Sequence, residues 1–374
     1  MDEEVRPIIK VLYLTKSPSP HRVEFFNELS KTCELTVVYE SKRFKERDKE
    51  RVAQSSGGYK EVFLSGWNVR RGARFCPGVL KFVRRDQFDV VVVGAYDTPT
   101  AKLAISALRR KKIPFALNTD GGFIDDTESE RKRNTKRRLI SGASWWLSSG
   151  PLTSEYFLGY GATKDKIFEY PFSSVRQAEV LPKAMERRQK LLVRGQKVLR
   201  CETLFIAVGQ FIPRKGFYEF LKVWASEERG TTGLAIIGGG PEEALYKKIA
   251  QENPNIWILP FLKKQVLAEY FKAADAFVLP TNEDVWGLVV GEAMSYGLPI
   301  FSTDRCIAAE TMKGTGVRIF PAGDNSALIS AMEDFEISEK KDEMISDVLL
   351  RAGEYTIEKM AQRHMEIFNS ILDE

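Results

Sequence analysis

Arg214 and Lys215 stand side by side at the end of Gly209-Gln210-Phe211-Ile212-Pro213-Arg214-Lys215-Gly216, a segment that follows an apolar run and opens a helical pattern. Two cations beside the free amides of a helix-opening loop are suited to gripping a polyphosphate. Three further segments occupy the same kind of place. In Gly238-Gly239-Gly240-Pro241-Glu242 the glycines let backbone approach a ligand closely. Pro260-Phe261-Leu262 offers the Phe261 ring as a flank for a flat base, although a buried core edge reads equally well. The longest is Asn282-Glu283-Asp284-Val285-Trp286-Gly287-Leu288-Val289-Val290-Gly291-Glu292, continuing to Gly297-Leu298-Pro299. Gly287 falls where a loop becomes a helix, Glu292 in that helix's second turn, and Asp284 in the preceding loop, eight residues before Glu292. Both carboxylates can face one cavity and accept hydrogen bonds from sugar and ribose hydroxyls, while the helix N-terminus adds positive charge beside phosphates. Taken singly, the Arg-Lys pair also reads as a solvated loop and the glycine run as a tight turn.

These loops need a frame. Short apolar runs at residues 8–14, 35–39, 90–93, 115–117 and 145–147 alternate with amphipathic stretches such as 22–30 and 99–108. The pattern restarts at 204–208 and continues at 234–237, 256–259, 276–279 and 299–301. Fully apolar strands separated by helices mean parallel sheets covered on both faces. The expected fold is α/β with two doubly wound domains, 1–172 and 173–354. Tyr170 to Ser174 reads as a hinge, and residues 183–197 as an exposed basic helical lead-in to the second domain. In such sheets ligands sit beyond the carboxyl ends of the strands.

With 374 residues, 43% hydrophobic and 29% charged, the chain is neither disordered nor fibrous. Four scattered cysteines without a Cys-x-x-Cys pair argue against a disulfide scaffold and for a reducing cytoplasm. Two histidines, His21 and His364, exclude a multi-histidine metal centre. The acidic start carries no signal-peptide pattern, and no apolar run approaches the roughly 20 residues that span a bilayer. The charge is uneven. Residues 1–172 carry a balance of +9 and the remainder −4, so the first half suits an anionic surface.

The second half, about 203–325, resembles family-4 nucleotide-sugar glycosyltransferases of the GT-B fold. Three motifs carry the likeness in order: Gly209 through Gly216, Gly238 through Pro241, and Asp284 to Glu292 ending at Gly297-x-Pro299. The first half resembles bacterial surface-polysaccharide members through Pro20-His21-Arg22-Val23-x-Phe25-Phe26-Asn27-x-Leu29. The resemblance implies two Rossmann-like domains facing across a cleft, with a C-terminal helix (355–374) crossing back to the first. It implies sugar transfer from a nucleoside diphosphate with retention, without metal or other cofactor. Arg214 and Lys215 would hold the diphosphate with the amides of Leu288 and Val289. Glu292 would bind the ribose, and Asp284 with the loop amides that follow it, at Val285, Trp286 and Gly287, the donor sugar. Gly209, Gly239 and Phe261 would complete the donor site, with His21 and Arg22 on the acceptor side.

The chain departs from the family at three places. Asp284 stands where glutamate is usual, with Glu283 as an alternative. Ser17-Pro18-Ser19-Pro20-His21 replaces a glycine pair. Asp120, in Asn118-Thr119-Asp120-Gly121-Gly122, occupies the place assigned to a histidine, with a role on a donor hydroxyl or on positive charge at the sugar; a turn-capping Asp is the plainer alternative. The base and sugar are not readable; a UDP- or dTDP-sugar is expected, rhamnosyl or hexosyl. The cations of residues 109–112 and 131–138, with Arg70, Arg71, Arg74, Arg84 and Arg85, suggest docking on an anionic membrane to reach a lipid-linked or oligosaccharide acceptor. Trp67 and Phe75 give too little aromatic interleaving for nucleic acid. The expected place is the inner face of the cell membrane. Two other readings fit parts of the sequence: a GT-B nucleotide-sugar epimerase, and a non-enzymatic basic binding module.

Overall fold

Runs such as Val90-Val91-Val92-Val93 are buried along their whole length, as strands of a doubly covered parallel sheet must be. The computed structural model of the protein describes residues 8–41, 58–70, 73–125, 127–183 and 185–374. The chain divides into two units, Met1–Ser174 with Thr356–Glu374, and Val175–Tyr355.

The first unit contains β1 (Lys10–Thr15), β2 (Glu34–Tyr39), β3 (Lys60–Phe63), β4 (Trp67–Arg70), β5 (Ala73–Phe75), β6 (Val90–Val93), β7 (Ala116–Thr119), β8 (Trp145–Ser148) and β9 (Ile167–Glu169). Seven of them form a parallel sheet in the order β3-β2-β1-β6-β7-β8-β9, and β4 and β5 pair antiparallel outside it. The second unit contains β10 (Thr203–Gln210), β11 (Thr232–Gly239), β12 (Ile256–Pro260), β13 (Ala276–Leu279), β14 (Ile300–Thr303) and β15 (Val317–Phe320). Its parallel order is β12-β11-β10-β13-β14-β15. Strands β3, β9 and β15 and the β4–β5 hairpin go beyond the strands read from sequence. All are three or four residues long, and β3, β9 and β15 lie at sheet edges, where charged side chains break up the apolar run.

The last helix, Ile357–Asp373, packs against the helix Pro20–Leu29 of the first unit. Thr356 caps it by accepting from the Lys359 amide at 3.3 Å. It buries Ile357, Met360, Ala361, His364, Ile367, Phe368 and Ile371, and each buried apolar side chain contributes about 1.5–3 kcal/mol. The apolar stripe read from sequence ended on Leu372, but Leu372 is exposed and Ile371 takes the core position. Ile371 lies four residues after Ile367, on the same face, whereas Leu372 is rotated away.

The lead-in helix Arg187–Gln196 also differs from expectation, because two of its cations are buried rather than solvated. Arg194 donates to the carbonyls of Ala273 (2.9 Å), Cys201 (3.2 Å) and Glu202 and pairs with Asp275, which Lys190 also approaches at 3.6 Å. A guanidinium stripped of water is retained only where its donors are so filled.

Candidate functional site

In the second unit the carboxyl ends of neighbouring strands carry all the loops singled out by sequence. The register aligns Gly209 with Gly238 and Gly238 with Pro260. A Cβ on Gly238 would lie 1.8 Å from the Gly209 carbonyl oxygen, and one on Gly240 would lie 2.4 Å from that of Phe211. These glycines are therefore required by packing between loops. Gly239 differs: its nearest neighbour would be a Glu243 carboxylate oxygen at 3.9 Å, so the space beside it is open. Phe261 follows β12 and is 51% exposed, which removes the core-edge reading of its ring.

The Arg-Lys loop is stitched to the loop after β13. The Arg214 carbonyl accepts from the Asn282 amide at 2.9 Å and the Thr281 hydroxyl at 3.1 Å. Gly216 has φ +70°, and a Cβ there would meet the Pro280 carbonyl oxygen at 2.0 Å. This junction brings the charges together. Lys215 makes a close ion pair with Asp284, their side chains 9% and 14% exposed. Arg214, more open, has Nη1 3.9 Å from the Asp284 carboxylate and donates to the Glu283 carbonyl. Asp284 thus presents its carboxylate to both cations, while Glu283 meets Arg214 through its main chain.

Asp284 is held from behind, its amide on the Arg305 carbonyl at 2.7 Å and its own carbonyl accepting from Ile307 at 3.3 Å. Gly287 then opens the helix Leu288–Ser295 with φ +95°, a conformation that favours glycine. The first amides of that helix, including those of Leu288 and Val289, have no partner within it. Glu292 sits half-buried in its second turn, and Val285 is exposed. The indole of Trp286 is buried, and its carbonyl accepts from the Ala308 amide at 2.8 Å. This residue therefore meets any ligand through its main chain, not its ring.

In the first unit Asp120 lies just past β7, at the carboxyl edge of that sheet. It pairs with Arg22, from the first turn of the helix Pro20–Leu29. Arg22, expected on the acceptor side, is buried. Its guanidinium donates to the Tyr13 hydroxyl and to Asn118 Oδ1, both at 3.1 Å, and lies over the Phe172 ring. Asn118 in turn donates to the Tyr170 hydroxyl at 2.7 Å and the Leu147 carbonyl at 3.2 Å. His21 packs edge-on against Phe172, and burial, helped by the charge of Arg22, lowers its pKa to about 3. It is therefore a neutral imidazole at working pH. Sequence reading passed over Tyr13, Asn118 and Tyr170. The available signal was polar side chains amid apolar runs, whose buried polar atoms must find partners.

The basic clusters separate into two kinds. Arg109 donates to the Arg138 carbonyl at 2.9 Å and Arg85 to the Lys111 carbonyl, so residues 84–85, 109–112 and 131–138 adjoin one another. Lys136 and Arg74 are instead consumed by structure. Lys136 pairs with the buried Glu128 carboxylate at 2.8 Å and lies over the Tyr160 ring, and Arg74 donates to the carbonyls of Glu40 and Gly66. Arg71 lies outside the described residues. Among the described residues no helix is long and apolar enough to cross a membrane.

Residues 193–347 match the family model for glycosyl transferases group 1. An uncharacterized glycosyltransferase of Bacillus subtilis is 24% identical over 228 residues, 57% of each chain. The O-antigen chain mannosyltransferase C of Escherichia coli is 22% identical over 180 residues, 46% of this chain and 48% of that one. The chain spans about half the length of these curated relatives. Among solved structures, Anabaena HepE in complex with UDP and glucose is 14% identical and superposes with a TM-score of 0.72, covering 97% of this chain and 100% of that one. The α/β fold, with parallel sheets in two Rossmann-like halves, is that of GT-B glycosyltransferases. Residues 193–347, the stretch similar to glycosyl transferases group 1, hold every candidate residue of the second unit.

Proposed function

We propose that the protein is a retaining glycosyltransferase that moves a sugar from a nucleoside diphosphate to a lipid-linked glycan in bacterial cell-surface polysaccharide synthesis. One observation carries the reading: Arg214, Lys215 and Asp284 meet on loops stitched together at the carboxyl edge of the second sheet, and the Asp284 loop runs straight into the N-terminus of the helix Leu288–Ser295. In this reading the diphosphate lies against Arg214, Lys215 and the amides of Leu288 and Val289. Glu292 takes the ribose hydroxyls, Phe261 flanks the base, and the open space at Gly239 leaves room for the nucleotide. Asp284 and the main chain of Val285, Trp286 and Gly287 take the donor sugar. As the bond to the sugar breaks, negative charge collects on the diphosphate, where fixed cations and helix amides stabilise it. Asp120 steadies the positive charge left on the sugar.

The UDP bound to Anabaena HepE supports a uridine donor, with a dTDP-sugar as the near alternative. A panel of UDP, dTDP, GDP and ADP with their sugars tests this by thermal shift. The matching nucleotide at 100 times its Kd is expected to add about 2.7 kcal/mol of stability, followed by acceptor-dependent release of the diphosphate. No shift with any member of the panel would overturn the reading.

The adjoining cations of residues 84–85, 109–112 and 131–138 support docking on the anionic inner face of the cell membrane, where each cation contributes about 1 kcal/mol at low salt. The combined variant Arg131→Ala, Lys132→Ala and Arg133→Ala removes three and leaves the structural Lys136 in place. In vesicle flotation it is expected to bind anionic vesicles about 100-fold more weakly while keeping its nucleotide-induced shift. Equal binding of wild type to anionic and neutral vesicles would make the basic face merely solvated.

A further inference from the structure

The first unit and the second each contain a buried arginine paired with an aspartate, and the two pairs differ in what they leave over. Arg194 pairs with Asp275, but Asp275 also accepts from the Leu204 amide at 2.9 Å and faces Lys190. Its oxygens are occupied by backbone and cations, and the cluster is a staple. Arg22 is 5% exposed, and its donors go to Tyr13, Asn118 and Asp120. The Asp120 side chain is 40% exposed, with Arg22 as its ion-pair partner among the described residues. A desolvated guanidinium therefore grips a carboxylate that still faces solvent at the carboxyl edge of the sheet.

We infer that Arg22 is a positioning residue for Asp120: clamped by Tyr13 and Asn118, it fixes one carboxylate oxygen of Asp120 and leaves the carboxylate presented for chemistry. The function of the presented group rests on the glycosyl-transfer reading above; the clamp itself does not.

Each layer behind Asp120 is immobilised by the next. The Tyr13 hydroxyl donates to Asn118 Oδ1 at 2.6 Å, so that oxygen receives both Tyr13 and Arg22. The Asn118 amide nitrogen is held by Tyr170 and by the Leu147 carbonyl, which fixes the orientation of the amide. Tyr170 packs on His364 of the C-terminal helix, ring centroids 4.5 Å apart. His364 donates from Nδ1 to the Met360 carbonyl at 2.8 Å, and its buried Nε2 has no hydrogen-bond partner among the described residues. Burial holds this imidazole neutral, with a pKa of about 3, so it adds no second positive charge beside Arg22. The main chain of Asp120 is tied separately, its carbonyl accepting from the Ser149 hydroxyl at 3.1 Å. Such preorganisation matters because a charged group acts on a transition state only when it need not reorient during reaction.

A lysine at position 22 keeps the charge but has no planar fork, and it cannot serve Tyr13, Asn118 and Asp120 together. Arg22→Lys is expected to lower kcat about 30-fold with donor KM within twofold of wild type. The same substitution in an Asp120→Ala background is expected to change kcat less than twofold, because the effect passes through Asp120. Tyr13→Phe keeps the ring and removes one anchor of the guanidinium. It is expected to fold normally, lose kcat several-fold, and show the same dependence on Asp120, which keeps the test available if Arg22→Lys is unstable. An equal kcat loss with and without Asp120 would overturn the inference, as would wild-type turnover in both variants while Asp120→Ala is impaired. A wild-type protein that turns over no donor sinks the glycosyl-transfer reading alone. The crystal structure of Arg22→Lys, or of Tyr13→Phe, then decides the clamp: an Asp120 carboxylate turned from its wild-type orientation supports it, and an unchanged one overturns it.

Discussion

Lys215→Ala is expected to lower both kcat/KM and Tm, whereas Arg214→Ala lowers kcat/KM with little change in Tm. From sequence the two cations are equivalent neighbours, and both substitutions would be expected to leave the fold intact. The structure separates them. Lys215 is nearly buried against Asp284, so removing its ammonium leaves a largely buried carboxylate whose remaining ion-pair partner among the described residues is Arg214, at 3.9 Å. Breaking a buried ion pair by deleting one partner destabilises by about 3–5 kcal/mol, and the residual contact with Arg214 places this case near the lower figure. Arg214 is far more open, and its loss leaves no charge stranded. For the proposed reaction, each would remove one preorganised cation from the diphosphate, a loss of about 2.7–4 kcal/mol, or 10²–10³ in rate. Steady-state kinetics on the preferred donor and a urea melt of each variant check this. Equal melts for the two variants, or unimpaired turnover in both, would contradict it.

Asp284→Asn is expected to bind free nucleoside diphosphate about tenfold more tightly than wild type, a gain of roughly 1.4 kcal/mol, and yet to use the sugar donor poorly. In the structure the Asp284 carboxylate already occupies the ammonium of Lys215 and approaches Arg214. A diphosphate must compete with that carboxylate for the same cations, and asparagine removes the competing charge. It also removes a charged acceptor for a sugar hydroxyl, an interaction of about 1.5–3 kcal/mol, so kcat/KM for the sugar donor falls even as the free nucleotide binds better. Glu292→Gln goes the other way. Glu292 lies on the helix, not on the cation loop, and its substitution weakens every nucleotide carrying the preferred base, sugar-bearing or not. Calorimetric titration of each variant with free nucleotide and with donor gives four numbers. Parallel losses in all four would sink the division of roles.

Much of this arrangement was legible in residue types and spacing alone. The apolar runs of β1, β6, β10 and β13 need no partner to be recognised, because strands buried on both faces exclude polar residues over their whole length. The turn into the helix at Gly287 was equally visible, since a helix-opening position at φ +95° selects glycine. The short edge strands were not legible. Lys60 is exposed and Glu61 half-buried at the edge, and their strand character comes from pairing with β2 rather than from their own pattern.

The candidate site divides along the same line. That Arg214, Lys215, Asp284, Gly287 and Glu292 stand at strand ends and a helix start was legible in their order along the chain, because local backbone geometry ties each to such a place. That Lys215 is neutralised by Asp284 while Arg214 stays open was decided by tertiary structure, as was the burial of the Trp286 ring. Arg22 shows this most clearly. Its sequence neighbourhood marks it only as a cation early in a helix. Its burial and its grip on Asp120, 98 residues away, exist only once β1, β7 and the Pro20–Leu29 helix are packed together. The sequence by itself determined which chemical groups lie at strand ends. The tertiary structure decided which charges meet, because Coulombic pairing and desolvation depend on distances and burial between segments far apart in the chain.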